Sequence, residues 1–350
     1  MHSPLYPWLH AEFARFHALR SQGRMPHALL ISGEPGLGQG QLAMRLAQAT
    51  LCHRPLDDGQ ACGQCAACRP FLAGAHPDFS LLTPKEKDSK DDEASKDKKD
   101  NKAKDIKVDA VREFCAGLYL SSSFQHGKVG VIEPADVMNA AAANSLLKTL
   151  EEPPAGTLII LVTSQPARLP ITIRSRCQRW QVGIPERVTA LAWLARQPQL
   201  AGEDPVRLLD LAEGRPLTAL ALAEPERLAR RGRWLESVLH VLRAGGNPLS
   251  LAASQDKAEW PTLLHWSRLL LVDLIRLHGA GQVDQAVKIN LVNRDYADVL
   301  APLAARLHAR ELFGLYDYLL ESSRLVDHPL NRELLIEELL IRFQRLGGHA

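Results

Sequence analysis

The chain has 350 residues, 46% of them hydrophobic and 23% charged, the composition of an ordinary globular protein with room for two or three domains. Its 42 Lys and Arg against 40 Asp and Glu leave a net charge of +2, which excludes a chain-wide cationic footprint for nucleic acid or an acidic surface. That balance is uneven: nine Lys fall between Lys85 and Lys107, and Arg supplies nearly all the positive charge elsewhere.

Met1 to Arg24 carries Glu12, Arg15, Arg20 and several His in place of a basic stub and an apolar core, so it does not read as a signal peptide, and a reducing, cytoplasmic setting is expected. Ala28–Ser32, Lys128–Ile132 and Thr157–Thr163 are short apolar runs, rich in β-branched residues, that suit buried parallel strands. The first leads into Gly33-Glu-Pro-Gly-Leu-Gly38, and Gln41 to Thr50 then follow at helical spacing, the strand, glycine loop, helix order of a phosphate-binding unit. From Pro84 to Asp105 there is almost nothing apolar to bury, so a disordered insertion is expected. Its charge permits two readings, a solvated loop or a cationic arm for DNA, and its eight acidic residues favour the loop. Val108, Val111, Cys115 and Leu118 then open a helical stripe.

Beyond Pro185 the strand signal disappears. Val188–Arg196, Val206–Glu213, Trp234–Arg243, Leu263–Leu277, Glu311–Val326 and Glu333–Arg345 place apolar residues three and four apart, as in packed helices. In the fifth, Leu312, Leu315, Tyr316, Leu319 and Leu320 share one stripe. Leu263–Leu277 is interrupted by His265, Arg268, Asp273 and Arg276 and is shorter than the roughly 20 residues needed to cross a bilayer. The fold class expected is therefore α/β followed by all-α.

The glycine loop keeps its frame and loses its side chains. A working phosphate loop ends in Gly-Lys-Ser or Gly-Lys-Thr, the Lys neutralising phosphate oxygens and the hydroxyl holding Mg²⁺. Here Gly38 is followed by Gln39 and Gly40. Glu133 and Asp136 stand at the tip of the second run, but Pro134 takes the place of the adjacent catalytic acid. The loop Gly33, Gly36, Gly38, Gln39 and Gly40, with Glu133 and Asp136, is thus expected to be a degenerate site without bound ATP. A turn with no ligand is the plainer alternative.

Cys52, Cys62, Cys65 and Cys68 have the spacing C-x9-C-x2-C-x2-C. Four thiolates so close together satisfy the closed tetrahedral shell of structural Zn²⁺. An iron-sulfur cluster and unliganded buried thiols are the alternatives. Cys115 and Cys177 lie outside this group and are expected in the core.

Together these stretches, with His76-Pro-Asp78, Asn139 to Pro154 and Ile173-Arg-Ser-Arg-Cys177, resemble the AAA+ clamp-loader subunits of bacterial DNA polymerase III. The resemblance covers nearly all of residues 1–185. It implies an AAA+ P-loop-type domain over residues 1–184, with a zinc knuckle at 52–68 and the insertion at 84–106, a small helical lid over 185–226 and a helical collar over 227–350. In that family the nucleotide-binding lysine falls on Gln39, its hydroxyl on Gly40, the catalytic acid on Pro134, the post-strand sensor near Thr163 and Ser164, and the later sensor arginine near Leu217. These departures imply a non-hydrolysing subunit. Partners implied are the gamma/tau and delta subunits, with the sliding clamp and primed DNA reached through the complex. One element is retained: within Ser175-Arg176-Cys177, Arg176 is expected to act as an arginine finger, given in trans to a neighbour's phosphate, as against a plain surface arginine in an Arg-rich stretch. An active AAA+ ATPase and a zinc-dependent DNA-binding module are the rival functions.

Overall fold

The computed structural model describes residues 4–84, 105–124, 126–243, 245–280, 290–326, 328 and 330–348; positions 85–104 of the insertion lie outside them. The described residues form two compact units, residues 1–193 with 215–218, and residues 194–214 with 219–350.

In the first unit five strands form one parallel sheet: β1 (Ala28–Ser32), β2 (Phe79–Leu82), β3 (Lys128–Ile132), β4 (Thr157–Thr163) and β5 (Gln178–Gln181), in the order β2-β3-β4-β1-β5. The three strands expected from the sequence are the three central ones, while the edge strands β2 and β5 were not anticipated. Side chains alternate across the sheet as the pleat requires. Leu29 and Ile31 of β1 enter a core with Phe13 and Phe16 of helix α1 (His10–Ser21) and with Leu42 and Leu46 of α2 (Gln39–Leu51). On the opposite face Ala28 and Leu30 pack with Phe114 and Cys115 after the short helix α3 (Cys68–Leu72), on α4 (Val108–Tyr119), and with Leu146 and Leu150 of α5 (Ala140–Glu151). Cys115 and Cys177 are both buried, as expected. Asn139 caps α5, its side chain accepting the Ala142 N–H at 2.8 Å, so the helix starts where the motif does. Helix α6 (Ile171–Arg174) leads into β5, and α7 (Arg187–Leu194) follows.

The second unit is helical. It contains α8 (Pro205–Leu211), much of α9 (Pro216–Leu222), α10 (Pro225–Leu242), α11 (Pro248–Ala253), α12 (Trp260–Ala280), α13 (Ala297–Ala304), α14 (Ala309–Arg324) and α15 (Arg332–Gly348). Its core joins Trp234, Leu270, Leu319 and Phe343 from four of these helices. Leu312, Leu315 and Leu319 of the expected stripe are buried, but Leu320 is 39% exposed, because it sits at the edge of the stripe and turns away from the core. Arg231 of α10 is buried and held in place: it pairs with Asp295 at 2.8 Å and donates to Asn293 Oδ1 at 2.5 Å. Asn293 in turn donates backbone and side-chain N–H groups to the buried Asp273 of α12. Among the described residues no helix is long and apolar enough to cross a membrane.

Candidate functional site

The glycine loop joins β1 to α2. Gly36 (φ +90°) and Gly38 (φ +86°) have positive φ, a region that residues without a Cβ enter at little cost, and Gly38 is the N-cap of α2. The backbone frame of a phosphate cradle is therefore present, but protein groups crowd it. The Gln39 side chain is buried and folds back on the loop, donating from Nε2 to the Glu34 carbonyl at 2.7 Å. A Cβ added to Gly40 would meet the Glu133 carboxylate, so the missing side chain leaves room for that acid. A Cβ on Gly36 would meet Thr218, and the Leu217 N–H donates to the Gly36 carbonyl at 3.1 Å. Tyr6 lies against Gly38 and stacks on Trp8 at 5.0 Å between ring centroids.

These groups surround a cavity of about 390 Å³ whose lining includes Gly36, Gln39, Gly40, Glu133, Thr163 and Leu217. No Lys or Arg is among its described lining residues. Its charged member is Glu133, and burial raises the pKa of that carboxyl above the ordinary value. With no Lys or Arg in the described lining, Glu133 ionised would give the cavity a negative charge and no cation would offset it there. Asp136 is drawn elsewhere: it is buried and accepts a hydrogen bond from the Thr163 hydroxyl, which itself accepts the Gln165 N–H at 2.9 Å. Of the two acidic candidates only Glu133 lines the cavity. Thr163 and Ser164, at the expected sensor position, line it as well. Leu217, near the position expected for the sensor arginine, lines the cavity too, while Arg215, two residues earlier, stands 3.5 Å from Glu34 of the loop.

Ser175 and Arg176 are not among the cavity's lining residues. They lie between α6 and β5, with the exposed Ser175 hydroxyl donating to the Thr172 carbonyl at 3.1 Å. Arg176 donates to the same carbonyl at 2.8 Å and pairs with Glu151 of α5 at 2.5 Å. Glu151 was missed as a site residue. The signal was present in Glu151-Glu152 at the end of the same motif, but nothing in the spacing connects it with a residue 25 positions later.

The four cysteines converge. Their sulfurs all lie within 4.8 Å of one another, with Cys52 to Cys62 at 3.6 Å and Cys52 to Cys65 and Cys62 to Cys68 each at 4.0 Å. A tetrahedral shell with Zn–S bonds of about 2.3 Å separates its sulfurs by about 3.8 Å, so the donor set fits the ion. Backbone N–H groups of Cys62, Cys65 and Cys68 point at the sulfurs of Cys52, Cys62 and Cys65 at 3.3–3.4 Å, an arrangement that stabilises thiolates. Burial alone would raise the Cys65 thiol, yet the backbone N–H groups of Cys68, His53 and Ala67 and the Cys68 thiol outweigh it and bring it down to about 6. Burial and the neighbouring sulfurs push Cys68 upward instead. Four thiolates at this separation need a shared cation to ionise together.

The chain's relatives agree with one another. Residues 10–184 match the family model described as DNA polymerase III, delta subunit, and residues 225–345 match DNA polymerase III, delta subunit, C terminal. DNA polymerase III subunit delta' of Escherichia coli (strain K12) is 35% identical over 97% of this chain and 95% of its own length. The subunit delta' of Pseudomonas aeruginosa is 33% identical over 98% of each. A shorter match, 31% identical over 53% of this chain and 29% of the relative, is to the DNA polymerase III subunit tau of Bacillus subtilis (strain 168).

Proposed function

Because the chain belongs to the DNA polymerase III subunit delta' family, we propose that it serves the clamp loader as a non-hydrolysing stator, giving Arg176 in trans to a neighbour's ATPase site. In this reading it assembles in the cytoplasm with the gamma/tau and delta subunits, and the complex loads the sliding clamp onto primed DNA. The AAA+ domain, lid and collar divide at residues 184/185 and 226/227.

The observation that carries the reading is the state of the cradle. Gly36 and Gly38 hold the positive φ of a tight glycine turn, while Gln39, at the position of an ATPase's lysine, is bonded back to the loop and leaves Glu133 as the charged residue among the described lining of the cavity. Arg176, by contrast, is a permanent cation with a planar donor fork on the surface of the first unit, 34% exposed, the chemistry a neighbour's developing phosphate charge requires. Cys52, Cys62, Cys65 and Cys68 hold a structural Zn²⁺, whose closed shell leaves no position for substrate.

The test reconstitutes the complex from gamma/tau, delta and this chain. Arg176→Ala is expected to leave assembly intact, as judged by gel filtration, and to lower clamp-stimulated ATP turnover by roughly the share of the one site it serves, since an arginine finger contributes on the order of 10³ or more to that site while the other sites keep their own. Unchanged turnover removes Arg176 from the mechanism. ATP hydrolysis by the isolated chain, abolished by Glu133→Gln, overturns the stator reading.

A further inference from the structure

Arg176 is not a free side chain waiting for phosphate. Both terminal guanidinium nitrogens are engaged, one with the Thr172 carbonyl at 2.8 Å and the other with Glu151 Oε1 at 2.5 Å. Its root is fixed as well: the Arg176 N–H donates to the Ile173 carbonyl at 3.0 Å, and the next residue, Cys177, is buried. Only the side chain can swing.

Resting on the arginine-finger reading above, we propose that Glu151 is a latch, which holds the Arg176 guanidinium against α5 and yields it to the neighbour's phosphate when the subunits close. Three features support this. First, the two side chains are 34% and 49% exposed, and an ion pair so open to water is cheap to break, whereas a buried one would lock the arginine. Second, Glu151 is the last residue of α5, where the helix dipole disfavours a carboxylate, and Glu152 adds a second negative charge beside it. Lys148 lies in the same last turn, and Arg176 adds a cation from outside the helix, paired with Glu151, which ties the two elements together. Third, exposed apolar side chains stand beside the pair. Ile171 is 64% exposed on the short helix that precedes Arg176, and Tyr119 is 52% exposed with its hydroxyl donating to the Glu152 carbonyl at 3.2 Å. A partner covering them would exclude water and strengthen the pull of a multiply charged phosphate on the guanidinium relative to a single carboxylate.

The experiment compares four reconstituted complexes: wild type, Glu151→Gln, Arg176→Ala and the double variant. Glu151→Gln keeps the side chain's size and removes its charge. It is expected to raise the turnover of the one site that Arg176 serves about two- to fivefold, the range set by a partly exposed ion pair, read as a smaller rise in the kcat of the complex, with KM for ATP and assembly unchanged. The double variant is expected to match Arg176→Ala alone, because the latch acts only through the arginine. A Glu151→Gln rate equal to or below wild type overturns the latch, as does a rate increase that persists in the double variant. If Arg176→Ala itself leaves turnover unchanged, the finger reading fails first, and the latch with it. Circular dichroism of the isolated variants separates any loss of folding from these outcomes.

Discussion

Asp78 collects four donors at a carboxylate that is wholly shielded from solvent: the N–H groups of Ser123 and Phe124 at 2.8 and 2.9 Å, the Ser122 hydroxyl at 3.0 Å and the Lys128 ammonium at 3.3 Å. Burial alone would raise its pKa, but these donors outweigh burial and hold it below the ordinary carboxylate value. A carboxylate whose folded pKa lies below the unfolded one, about 3.9, stabilises the protein fully above that pH and loses the contribution as the pH falls through the folded value. Asp78→Ala leaves the shielded Lys128 without its counter-charge and is expected to cost about 3–5 kcal/mol in urea denaturation at pH 7, with the difference from wild type shrinking in acid. A cost below about 1 kcal/mol, the level of an exposed pair, removes the network from the account of stability. His76-Pro-Asp78 was legible in the sequence as a motif, but its task was not, because the loop it secures lies more than 40 residues away. Arg176 and Glu151 share that blindness: the residue types were visible and their pairing was not.

Elements were legible in proportion to how completely they are buried. β1, β3 and β4 are covered on both faces and read as apolar runs, whereas the edge strands β2 and β5 pair on one side and carry Leu81 at 48% exposure and the polar sequence Gln-Arg-Trp-Gln. The short helices α9, α11 and α13 were not read from the sequence, whereas α7 and α8, equally short, were: six to eight residues hold about two turns, which leaves periodicity an uneven guide at this length. The cysteine cluster is the opposite case, legible from spacing alone and organised around very little regular structure. Its one helix, α3, has five residues, too few to persist on propensity, so its order depends on what Cys68 and its neighbours hold. Purified protein is expected to contain one zinc per chain by elemental analysis. Stripping it with a strong chelator is expected to lower the melting temperature by several degrees and to expose the four thiols to a titrating reagent. Full zinc removal without a change in either quantity would show that the thiols hold this segment unaided.

Each of the two units encloses its own core, and the large-scale division into an α/β half and a helical half was visible in the change of periodicity near Pro185. The distribution of charge bears on the whole molecule too, because a net +2 can hide a strongly basic segment. Residues 85–104 hold eight Lys against seven Asp and Glu, so deleting them changes the net charge by a single unit. Counterion release distinguishes a cationic arm from a self-neutralised loop. Eight lysines on phosphates would steepen the dependence of the logarithm of affinity on the logarithm of salt by roughly 7, at about 0.9 per contact. The reconstituted complex lacking residues 85–104 is expected to bind primed DNA within about twofold of the intact complex, with the slope unchanged, because each lysine there has an acidic residue within two positions competing for it. A slope reduced by one or more would mean that lysines of this segment reach phosphate despite those neighbours.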